Sequence, residues 1–212
     1  MAAAIWGLGF VAQRLGMDHM GPFTFNGLRF LLGALSLLPL LWWLKSRQPR
    51  PQPGSPSGDR RLLLVGGLIA GGVLFSAASL QQVGLLYTTA AKAGFITGLY
   101  IILVPVIGLA LRHKTGANTW IGALIAMAGL YYLSVTEEFT IGYGDLLQVI
   151  GALFWAIHLL VLDHYSNRVA PIRLAGVQFV VCGLLSLGTA FVIETPTLGG
   201  AMAGWQALLY AG

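Results

Sequence analysis

Seven long apolar runs, with the start of an eighth, leave this chain few folds to choose from. A bilayer core about 30 Å thick is crossed by roughly 20 apolar helical residues. Runs of that order lie at 1–17, 22–44, 62–83, 89–111, 118–135, 144–162 and 171–193, with another from 201 onward. Of the 212 residues, 57% are hydrophobic and 9% charged, whereas an ordinary soluble domain is about 25% charged. The expected fold class is an all-α membrane protein whose first partner is the lipid bilayer. Short connections containing Gly and Pro predict helices packed side by side with antiparallel neighbours.

The runs are not independent of one another. Trp6, Pro22, Gly27 and Phe30 recur as Trp155, Pro171, Gly176 and Phe179, each 149 positions later. A repeat unit of five spans is odd in number, so its second copy enters the membrane in the opposite orientation. This predicts an inverted repeat of five-helix units, one complete over 1–135 and one partial over 144–212. The Pro- and Gly-rich basic segment 45–61 is the one long loop.

Charge placement orients the bundle. Lys45, Arg47, Arg50, Arg60, Arg61, Arg112, Lys114, Arg168 and Arg173 fall in alternate connections, while the opposite ones carry Asp18, Glu137, Glu138 and Glu194, with Asp145 at the edge of the next span. Positive charge collects on the cytoplasmic side, so the amino terminus is expected in the cytoplasm of a multi-pass protein of the plasma (inner) membrane. The net charge of +5 follows from this topology, and no nucleic-acid partner is expected. The single cysteine, Cys182, lies in an apolar run; it has no intrachain disulfide partner and is read as a packing residue.

With these residues laid out, the chain resembles the EamA type of the drug/metabolite transporter superfamily. The resemblance rests on IWGLGFVAQRLG followed by PFTFNGLRFLLGALSLLPL, on LLYTTAAKAGFITGLYIILVPVIGLAL, on TWIGALIAMAGLYYL, and on GDLLQVIGALFWAIHLLVLDHYS at the start of the second half. It implies ten spans in two halves, of which this sequence holds seven and part of an eighth. It also implies a secondary transporter of small organic solutes or metabolites, exporting by alternating access. Where many relatives carry a Gly-Glu pair after the fourth span, this chain reads Arg112-His113-Lys114-Thr115-Gly116, so no role of that acidic residue carries over. Two partner assignments stay open beside the solute: a homo-oligomer, and further carboxy-terminal helices. The alternative function is a non-transporting fragment or half-transporter that needs a partner chain.

Three basic residues lie inside spans, Arg14, Arg29 and Lys92, and intramembrane charge is a functional candidate by default. At about 1.5 Å per residue, Arg29 sits about 10 Å from the outer end and the other two about 5 Å. Together they would make an electropositive vestibule for an anionic group of a solute. Alternatively, Arg29 bonds carbonyls or Asn26 one turn away, while Arg14 and Lys92 snorkel to the interface.

Trp6 and Trp155, at equivalent repeat positions, would offer an apolar face and an N–H to an amphipathic solute, or pack between helices. His158 follows Trp155 by one helical turn. Gln82, Thr97 and Tyr100 are polar groups on the third and fourth spans that would line the same cavity. Gly67 with Gly71, and Gly94 with Gly98, have the spacing that lets helices approach closely within one bundle. Pro105, within a span, is a candidate hinge.

An intramembrane enzyme would need a nucleophile beside a base, or clustered metal ligands. His19, His113, His158 and His164 are scattered over different loops and spans, and no P-loop is present. No catalytic, metal or cofactor site is therefore expected.

Overall fold

The computed structural model describes residues 2–47, 60–111, 116–134 and 142–212. Most of the basic 45–61 segment, together with Arg112, His113, Lys114, Glu137 and Glu138, lies outside the described residues. All regular structure among them is helical: α1 Ala2–Gly16, α2 Pro22–Arg47, α3 Arg60–Gly84, α4 Ala90–Gly98, α5 Tyr100–Ala110, α6 Ala117–Ser134, α7 Tyr143–Ser166, α8 Pro171–Ile193, α9 Leu198–Ala203 and α10 Trp205–Ala211. In hydrocarbon every backbone polar group must be paired internally, which a helix does and an isolated strand does not.

Among the described residues, five helices are long and apolar enough to cross a membrane: Pro22–Leu44, Arg60–Gly84, Ala90–Ala110, Tyr143–Ser166 and Pro171–Ile193. The expected first span is shorter, 15 residues, or about 22 Å of helix. The expected span at 89–111 is interrupted at Leu99, whose N–H bonds Ile96 O at 3.1 Å; this i→i−3 bond tightens the turn after Gly98. Pro105 lies inside α5, and the break falls six residues before it. The last expected helix begins at Leu198 rather than 201, because the Thr197 hydroxyl accepts the Gly200 N–H at 3.1 Å and caps it. It then breaks at Gly204, between α9 and α10.

Glycine contacts fix the relative helix directions. A Cβ on Gly27 would meet Leu187 and one on Gly183 would meet Leu31, so contacts descend α8 as they ascend α2, and the two are antiparallel. Gly67 faces Val177 and Gly71 faces Val181, a constant step that makes α3 and α8 parallel. Gly66 faces Tyr165 and Gly84 faces Gln148, so α3 and α7 are antiparallel. Trp6 contacts Tyr100 and Phe10 lies beside Gly94, setting α1 against α4 and α5.

Helices α1, α3 and α8 thus point one way, and α2, α4 and α7 the other. Members of each pair in the 149-residue repeat, α1 with α7 and α2 with α8, run in opposite directions. The repeat partners Phe30 and Phe179 meet with ring centroids 5.7 Å apart, which places the pseudo-two-fold axis between α2 and α8.

Two carboxylates tie the halves together at one end of the bundle. Glu194, just beyond α8, accepts the N–H of Phe23 at 2.8 Å, the N–H of Thr24 at 2.9 Å and the Thr24 hydroxyl at 2.6 Å. It satisfies orphan donors and the positive pole at the start of α2. Asp145, in the first turn of α7, accepts from the Thr88 hydroxyl at 2.5 Å, Gly142 N at 3.0 Å and Lys92 Nζ at 3.1 Å. Near the opposite end, an apolar cleft of about 400 Å³ separates α2, α3 and α8, lined by Leu38, Leu41, Leu63, Val177 and Val181 beside Arg173.

Candidate functional site

A cavity of about 410 Å³ opens between the halves. Its wall takes Trp6, Gly9 and Gln13 from α1, Arg29 and Phe30 from α2, and Gln81 from α3. Tyr100 of α5, then Trp155, His158 and Leu159 of α7, and Tyr210 and Ala211 of α10 complete it. The volume falls within the range of about 300–1,000 Å³ usual for small-molecule sites.

A chain of amides holds this wall in register. Gln81 Nε2 donates to Gln13 Oε1 at 3.0 Å, and Trp155 Nε1 donates to Gln81 Oε1 at 2.9 Å. Behind them Gln148 Nε2 donates to Gln81 O at 2.9 Å, while the Thr97 hydroxyl donates to Gln148 Oε1 at 3.2 Å. Five side chains on α1, α3, α4 and α7 are thereby coupled across the two halves. In a low-dielectric interior such a network rigidifies only while every member is satisfied.

Arg29 is the cation on this wall. It is 7% exposed, its Nε has no hydrogen-bond partner, and its guanidinium carbon lies 4.7 Å from the Phe30 ring centroid and 5.9 Å from that of Phe25. The aromatic faces offset part of the cost of burying this charge. No acidic side chain occurs among the described residues lining the cavity. His158 Nε2 lies 2.8 Å from Gln178 Oε1, and its Nδ1 is without a partner. The His158 ring meets Trp155 edge-on at 5.8 Å.

Of the ten candidates read from the sequence, the cavity gathers Trp6, Arg29, Tyr100, Trp155 and His158. The other five are off its wall. The three basic residues do not form one vestibule: Arg14 Nη1 donates to the carbonyl of Leu85, and Lys92 pairs with Asp145. Asn26 does not bond Arg29; its Nδ2 donates to Ala78 O at 3.1 Å. Thr97 stands behind the wall on Gln148, and Gln82 Nε2 reaches Gln13 O at 3.4 Å.

Sequence reasoning misses Gln13 and Gln81, although each adjoins a candidate, Arg14 and Gln82. The repeat offset carries a usable signal. It pairs Gly9 with His158, Arg29 with Gln178 and Phe30 with Phe179, and all six line the cavity or bond a residue that does, except Phe179, which packs on Phe30.

An apolar helical bundle of oppositely directed halves around a shared cavity is the architecture of a multi-pass membrane transporter. The chain belongs to the EamA-like transporter family, whose model matches residues 1–135 and 142–212. Over 200 residues it is 34% identical to an uncharacterized transporter of Archaeoglobus fulgidus, covering 93% of this chain and 57% of that protein. It is 29% identical to the uncharacterized transporter YetK of Bacillus subtilis, over 99% of this chain and 64% of YetK. It is also 25% identical to the uncharacterized inner membrane transporter YedA of Escherichia coli K12, over 96% of this chain and 66% of YedA. The chain thus spans less than two thirds of the length of these relatives. A protein crystal structure shares the fold with a TM-score of 0.64 at 20% identity, covering 97% of this chain and 72% of that one.

Proposed function

We propose that this chain builds the solute path of a secondary transporter that exports small organic metabolites across the inner membrane by alternating access. The supporting observation is the cavity itself, walled by residues from both oppositely directed halves, 1–135 and 144–212. Such halves exchange access by rocking about a central site. The positive-inside rule puts the Arg173 end and the amino terminus in the cytoplasm, so the Glu194 and Asp145 contacts close the outer side.

Flux through liposomes holding the full chain tests this function, using a metabolite panel under imposed proton or sodium gradients. Saturable flux of at least one solute is expected, and no flux of any solute under any gradient would reject transport.

The closure makes a separate prediction. Removing a cap of this kind costs about 0.5–2 kcal/mol, so Glu194→Ala is expected to raise the outward-open population about tenfold. Gly9 lines the cavity, and a Cβ added there would have no foreign atom nearer than 4.0 Å, so the position accepts a cysteine probe. In a Cys182→Ala background, Gly9→Cys should react correspondingly faster with an impermeant thiol reagent applied outside. An unchanged rate would mean that Glu194 does not hold the outer side shut.

A further inference from the structure

We infer that the cavity selects an organic anion with a flat apolar body, an aromatic carboxylate lacking an ammonium group, over a zwitterion or cation of the same shape. This rests on the transport function proposed above and names its solute class.

The charge on the wall is one-sided. Arg29 is 7% exposed, its Nε is unbonded, and no carboxylate lines the cavity among the described residues. Among the described residues lining the cavity, a guanidinium so placed meets no counter-charge of the kind a buried cation requires. A carboxylate entering the cavity supplies both that charge and acceptor lone pairs, and charge-assisted bonds of this kind are the strong ones.

An ammonium finds the reverse. The side-chain amide oxygens on the wall are already engaged, Gln13 Oε1 by Gln81 and Gln81 Oε1 by Trp155. The unpartnered Nδ1 of His158 is itself buried. An ammonium group would shed its water close to Arg29 with no anion to receive it, so desolvation and like charge act against it together.

The rest of the wall fits a flat ring. Trp6 stands edge-on to Tyr100 with centroids 6.4 Å apart, and Phe30, Trp155 and Tyr210 complete the aromatic lining. Edge-to-face and offset arrangements are those in which another aromatic ring packs well.

Indoleacetate, tryptophan and tryptamine share one ring system and present an anion, a zwitterion and a cation. Equilibrium binding to the purified full chain in nanodiscs is expected to favour indoleacetate over each of the others by at least about tenfold. Arg29→Gln should abolish that preference and Arg29→Lys should retain its order, with thermal unfolding recorded for each variant. If Arg29→Gln fails to fold, the wild-type and Arg29→Lys series decide the matter. Equal or tighter binding of tryptophan or tryptamine, survival of the preference in Arg29→Gln, or no binding of any of the three would overturn the inference. Counterflow in liposomes separates the two proposals: preferential binding without flux rejects transport and keeps the site, whereas flux without preference rejects the site and keeps transport.

Discussion

Gly144→Ala is expected to leave little folded protein. Gly144 lies in the first turn of α7 where that helix crosses the end of α3, and a Cβ there would stand 2.7 Å from the Gly84 carbonyl oxygen and 2.7 Å from the Tyr87 carbonyl carbon. Overpacking typically costs about 1–3 kcal/mol when side chains can shift. Here the obstacle is main chain on both counts, so the cost should reach or exceed the top of that range. The same turn carries Asp145, and displacing it would also disturb the bonds to Thr88 and Lys92. Gly72→Ala is the matched control: nothing lies within 4 Å of its added carbon, and alanine in a helix interior is favoured by about 0.5–1 kcal/mol. Thermal unfolding in detergent should therefore move in opposite directions for the two variants. Equal midpoints would show that the α3–α7 crossing is not close-packed.

Gln81→Leu should be nearly as damaging, through polarity rather than volume. It removes the partner of the buried Gln13 Oε1 and of the half-buried Trp155 Nε1 together, and a buried group left unpaired costs about 1–3 kcal/mol. The neighbouring amide provides the contrast. Gln82 is fully buried, yet its Oε1 has no partner and its one bond is the 3.4 Å contact to Gln13 O. Gln82→Leu should accordingly cost little or even stabilise. Unfolding midpoints rank the two variants, and flux is expected to fall for Gln81→Leu even at temperatures where it remains folded, because Trp155 and Gln13 lose their alignment. A Gln82→Leu variant as unstable as Gln81→Leu would refute the network as described.

Hydrophobic run lengths locate the long helices well. The expected segment 171–193 coincides with α8, and 22–44 and 62–83 fall within α2 and α3. Interruptions at Leu99 and Gly204 are not legible, because they depend on single turns: a tightened bond after Gly98, and Gly204 seated against Met20 and His19. The site is half legible for a related reason. A charge inside an apolar run is conspicuous, which makes Arg14 and Lys92 stand out although neither reaches the cavity. Which of two adjacent residues faces the cavity is decided by the rotation of a helix about its own axis. On α3 that rotation is set by glycines fitting the valines of α8, Gly67 on Val177 and Gly71 on Val181. It brings Gln81 onto the cavity wall and leaves Gln82 off it, against the Gln13 carbonyl. No property of the two amides distinguishes them before the helices are packed.

The contact between Phe30 and Phe179 has an energetic meaning as well as a geometric one. A carrier made of two identical inverted halves would hold its inward- and outward-facing forms at equal free energy, since each is the other turned over. Any resting preference must then arise at positions where the halves differ. Glu194 corresponds to Lys45, and Arg29 to the neutral Gln178, so an acid at one end of the molecule is answered by a base at the other. On the proposed mechanism, the side on which this protein waits for its solute is set where the two copies differ, and these charged positions are among the differences. Exchanging the charge at one such position is the smallest change that would turn it to wait on the opposite side.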